Sequence, residues 1–196
     1  MRRSMLPAFI AALMRRSTHP AVVIVLVGTL LAAPSAVAAQ TGEALIKSIG
    51  AQSPVPNPTF VADKSVAYKV AWDVTAGPAK PGDRTPGLAA PANFLVNTDV
   101  NGVDRKRVHL AIVVHGAATF ALMTNAAYKA MYGVDNPNID LLQALDAAGV
   151  QVILCGQAAI RRNIARDQLL PLVKVATTAG FATATLHAQG YATLAP

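Results

Sequence analysis

Cys155 is the single cysteine among 196 residues, and it stands inside Val150–Arg162, V-Q-V-I-L-C-G-Q-A-A-I-R-R. The run opens as a buried strand and continues as a helix, which puts the thiol at the junction. Gly156 and Gln157 open that helix, and Arg161 and Arg162 follow at its far end. Unpaired N–H groups at a helix start and a nearby guanidinium both lower a thiol pKa toward neutrality and favour the nucleophilic thiolate. Arg162 is seven residues beyond Cys155, on the same helical face but two turns away. The context V-I-L-C equally suits a small, inert apolar side chain.

A second chemical residue is His115, followed by Gly116, at the end of the apolar run Arg107–Val114. Both strands then end at one carboxyl edge, where open α/β sheets bind ligands. His115 either shares a pocket with Cys155 or bonds to a neighbouring loop. Asn136 and Asn138 of the break Gly133–Asn138 either line that pocket or serve as turn and cap residues. Gln157 either donates to a bound anion or stays solvated.

Other chemistries are excluded or disfavoured. Beyond residue 39 the only serines are Ser48, Ser53 and Ser65, all in a proline-containing lead-in, so no serine nucleophile lies in the folded core. His109 and His115 are six residues apart on one strand, or roughly 20 Å at ~3.3 Å per residue, too far to share an ion. There is no cysteine pair for a metal and no phosphate- or dinucleotide-binding glycine pattern. Arg105-Lys106-Arg107 reads as a solvated turn. Neither metal nor organic cofactor is expected.

The elements that must hold these residues follow an export signal. Met1–Arg16 is basic, Ala21–Ala33 is uncharged and apolar, and Pro34–Gln40 offers a small-residue cleavage site after Ala38 or Ala39. Met14-Arg15-Arg16-Ser17 repeats Met1-Arg2-Arg3-Ser4, so translation from Met14 would give a signal of ordinary length. The apolar run is too short for a permanent span, and the expected location is periplasmic, free of the membrane after cleavage. Four of the 17 basic side chains and none of the 10 acidic ones lie in residues 1–39, leaving 13 against 10. That mild bias is not the basic face of a nucleic-acid binder. About 157 residues remain, enough for one domain with its own core. In an exported chain a lone thiol is a reactive group, an intermolecular bridge, or a passive buried residue.

Residues 40–66 form the lead-in, with two turns of helix over Gly42–Ile49 and then Pro54, Pro56 and Pro58 in extended chain. The domain occupies residues 67–196. Strands are expected at Tyr68–Val74, Arg107–Val114, Val150–Leu154, Val173–Ala176 and Tyr191–Leu194. Helices are expected at Leu88–Val100, Ala117–Tyr132, Ile139–Ala148, Gly156–Asn163 and Thr177–Gln189. Nearly unbroken apolar strands joined by short helical crossovers imply a parallel sheet between two helical layers.

From about Val108 onward the chain resembles the DsrE/DsrF-like proteins, particularly exported single-domain members. The motifs that carry the resemblance are H-G-A-A-T (His115–Thr119), N-P-N (Asn136–Asn138) and A-G-V-Q-V-I-L-C-G-Q (Ala148–Gln157). L-L-P-L-V (Leu169–Val173) and Q-G-Y-A (Gln189–Ala192) complete the set. The resemblance implies an α/β fold, a three-layer α/β/α sandwich with a five-stranded parallel sheet, and a homo-oligomer. It also implies sulfur carriage as a persulfide, with Cys155 at the matching thiol position. The function expected is therefore sulfur or thiol handling, with a sulfur donor or acceptor protein or a small thiol as partner. The alternative is a non-catalytic ligand-binding or assembly module of the same fold.

Overall fold

The computed structural model describes residues 42–50 and 52–196. The export signal expected at 1–39 and the start suggested at Met14 lie outside the described residues. A short helix, α1 (Glu43–Ile49), precedes the strand β1 (Tyr68–Val74). Then come α2 (Ala90–Val100), β2 (Val108–Val114), α3 (Asn125–Tyr132), α4 (Ile139–Ala147) and β3 (Gln151–Cys155). The chain continues through α5 (Gly156–Arg161), β4 (Lys174–Ala176), α6 (Ala179–Ala188) and β5 (Ala192–Leu194). The strands make one parallel sheet in the order β4-β3-β2-β1-β5.

Strand order decides the layers. From β1 to β4 the chain steps across the sheet in one direction, so right-handed crossovers place α2, α3, α4 and α5 on one face. The return from β4 to β5 runs the other way and puts α6 on the opposite face. Side-chain alternation matches this division. Val70, Trp72, Val74, Leu110, Ile112, Val114, Val152 and Leu154 pack into the large core with Leu88, Leu95, Leu141, Leu142 and Leu145. The other face carries the smaller Ala71, Ala111 and Val113, on which Ala182 and Leu186 of α6 sit. The result is the expected three-layer α/β/α sandwich, and among the described residues α6 is the one helix of the second layer.

The lead-in helix belongs to the large core. Leu45 and Ile46 are buried in it, and Arg105 ties the helix down by bonding both Glu43 oxygens at 2.8 Å and both Asp99 oxygens at 2.8 and 2.6 Å. A Cβ on Gly50 would lie 2.5 Å from the Ala92 carbonyl oxygen, so a glycine is what lets α1 meet α2.

One expected element is absent as drawn. In place of a single helix over Ala117–Tyr132, residues Gly116–Leu122 form a 3-10 helix, Met123 bridges to Leu169, and α3 begins after Thr124. The carbonyls that a continuous helix would need are taken elsewhere. Leu122 O accepts from Leu170 N at 2.9 Å, and Asn136 donates through Nδ2 to Ala121 O and Met123 O at 3.0 and 2.7 Å. Thr124 then restarts the helix as an N-cap, its hydroxyl accepting from Ala127 N at 3.3 Å. Most other boundaries shift by one or two residues, the usual fraying of element ends.

Candidate functional site

Cys155 is the last residue of β3 and the residue before α5, and its backbone is extended at φ −67°, ψ 112°. It pairs with Ala176 of β4, and only 5% of its surface is exposed. A Cβ on Gly156 would lie 2.7 Å from the Ala176 carbonyl oxygen. The glycine therefore lets the chain turn from strand to helix against β4, and fixes where the thiol comes to rest.

His115 follows β2 directly. Its backbone N–H donates to Val74 O at 3.0 Å, which continues the ladder to β1 by one residue. Its ring Nε2 is 2.8 Å from Asp73 Oδ1, and the two side chains are 32% and 46% exposed. The imidazole thus bonds to the neighbouring strand and not to a loop. Gly116 comes next at φ +57°, and a Cβ there would meet Thr75 O at 2.7 Å. Gly116 is therefore a backbone requirement of the turn that follows His115.

Register relates the histidine to the thiol. Val113 pairs with Ile153 and Val114 with Leu154, the last pair of the ladder. One further step along the register brings His115 level with Cys155. Asp73 pairs with Val113 one step back. By alternation Asp73, His115 and Cys155 all belong to the α6 face of the sheet, continuing the column of Ala71, Ala111, Val113 and Ile153.

The other candidate residues have the following surroundings. Asn136 and Asn138 are buried, and their amides hold backbone segments together. Asn138 Oδ1 accepts from Thr85 N at 2.8 Å, and its Nδ2 donates to Asn136 Oδ1 at 2.9 Å. Gln157 is exposed on the first turn of α5. Arg162 donates to Ala158 O at 3.4 Å and lies over the Phe120 ring, 5.6 Å from its centroid. Its guanidinium is thereby turned to the aromatic cluster of Phe120, Tyr128 and Tyr132. Burial raises the phenol pKa of both tyrosines, and Arg162 partly offsets this at Tyr132. A hollow of about 180 Å³ lies beside that cluster, lined in part by Gly77, Pro81, Ala117 and Phe120. Neither His115 nor Cys155 lines it.

Asp73 is the site residue that sequence reading passes over. In Y-K-V-A-W-D-V it looks like an ordinary polar position of an alternating strand. The available signal is that it follows Ala71 on one face of a strand that neighbours His115, but strand neighbours are not written in the sequence.

Five parallel strands with helices on both faces make this a small single-sheet α/β sandwich. The chain belongs to the DsrE/DsrF-like family, which residues 69–196 match. That match begins at β1, well before the motifs that start at His115. No curated protein matches the chain. Among solved structures it is similar to a protein of unknown function from Methanobacterium thermoautotrophicum. The identity is 16%, the coverage 66% of this chain and 99% of that one, and the TM-score 0.48.

Proposed function

We propose that this protein handles sulfane sulfur in the periplasm, holding it as a persulfide on Cys155. The observation that carries this reading is the place of Cys155, at the carboxyl edge of the sheet between β3 and α5, in a chain of the DsrE/DsrF-like family. In the transfer the Cys155 thiolate attacks the outer sulfur of a donor persulfide. The donor S–S bond breaks, its inner sulfur leaves with the electron pair as a thiolate, and Cys155 keeps the outer sulfur. An acceptor thiolate reverses these roles, so no external oxidant or reductant enters.

The export signal read from residues 1–39 supports the compartment. The exposed side chains of Val175 on β4 and Phe181 on α6 support a homo-oligomer. The burial of Cys155 favours a second reading, in which the domain binds a ligand or assembles without chemistry at the thiol.

Intact-mass analysis of the purified protein after incubation with a sulfane donor separates the two. One added sulfur on the wild type, absent in Cys155→Ala, supports carriage. A thiol that gains no sulfur and resists alkylation until the protein is unfolded ends that reading in favour of the binding module.

A further inference from the structure

We infer that Asp73 and His115 are a proton-handling pair for Cys155, with Asp73 as the positioning residue that fixes which ring nitrogen faces the thiol. The inference rests on the sulfur-handling reading, and extends it to how the thiolate is made. An ionised carboxylate only accepts hydrogen bonds, so the 2.8 Å contact with Asp73 Oδ1 places the ring proton on Nε2. In the neutral ring Nδ1 is then the free lone pair, which is the nitrogen available to a base. Register sets Cys155 as the next residue along the row from His115, on the same face.

Nucleophile, base and orienting carboxylate therefore come from the carboxyl ends of three adjacent strands, with Cys155 in β3, His115 just past β2 and Asp73 in β1. The thiol and ring share no hydrogen bond in this resting state; such contacts commonly tighten only with substrate bound. The Sγ proton passes to His115 Nδ1, and Asp73 stabilises the imidazolium that results. After attack on the donor's outer sulfur, the departing donor thiolate takes that proton. Overall, a thiol and a donor persulfide become a persulfide and a donor thiol.

Other charged groups nearby are already engaged or lie elsewhere. Arg162 of α5 is over Phe120, Arg161 is exposed, Lys69 of β1 donates to Gln189 O, and His187 of α6 bonds Thr193. Asp73 is the carboxylate that His115 bonds.

Two measurements test the pair separately from sulfur carriage. The first follows the titration of His115 by side-chain NMR in wild type and Cys155→Ala. Loss of the neighbouring thiol should move the His115 midpoint; superimposable titrations overturn the inference whatever sulfur loading shows. The second is the pH profile of Cys155 alkylation in Asp73→Asn and His115→Gln, each checked for native fold by circular dichroism. Either change should slow alkylation at neutral pH about tenfold, the thiolate lost with a thiol pKa one unit higher. The double variant should be no slower than either single one. Profiles unchanged from wild type also overturn the inference. A shifted profile in a protein that never gains sulfur upholds the pair and overturns the carriage reading instead.

Discussion

Asn138 and Thr85 meet in a buried corner where each hydrogen bond can be counted. The Thr85 N–H donates to Asn138 Oδ1, whereas Thr85 Oγ1 is buried with no partner among the described residues. Asn138→Ala should therefore leave a buried N–H unsatisfied and cost about 1–3 kcal/mol. Thr85→Val removes only the orphan hydroxyl and should be neutral or stabilising by up to about 1 kcal/mol. Urea denaturation of the two variants checks both signs. Gly156→Ala presses a methyl group on the Ala176 carbonyl and should cost about 1–3 kcal/mol as β3 and β4 shift apart. Its alkylation rate should also change, because the strand end that moves is the one holding Cys155.

At the scale of elements, β2 shows what could be read in advance. Its stretch Leu110–Val114, L-A-I-V-V, is apolar on both faces, and only a central strand covered on both sides tolerates that. The helix expected over 117–132 shows what could not. Its apolar spacing is genuinely helical, but Asn136 and Leu170 take the carbonyls of residues 121–123, and both lie far along the chain. Thr124-Asn125 was the local trace of the break. Likewise Cys155 and His115 were legible as strand ends, while Asp73 required the strand order. A further prediction concerns α1, whose tie to the core is partly electrostatic. Hydrogen bonds to Asp99 and Glu43 raise the Arg105 pKa, so the guanidinium stays charged throughout. Arg105→Gln should lower stability by about 1 kcal/mol or less, as expected of half-exposed ion pairs, and by less in high salt. Thermal melts at two ionic strengths read this directly.

Over the whole molecule, alkaline pH should loosen the fold. Tyr128 is 2% exposed and donates to Pro81 O at 2.8 Å, and burial raises its phenol pKa and that of Tyr132. A raised pKa means the folded state holds these protons when the unfolded state releases them. Their contribution is complete below the ordinary value of about 10 and is lost as pH rises through the folded-state values. Melting temperature should fall in step above pH ~10, and Tyr128→Phe should lessen the slope. The place of α6 on the second face has a further consequence, for synthesis. Every strand from β1 to β4 precedes α6, yet Ala182 and Leu186 of α6 pack on Ala71, Ala111 and Val113, and β5 is the other partner of β1. A growing chain on the ribosome thus has its large core in hand while one side of the sheet is still bare. Folding can finish only once residues 179–194 have emerged.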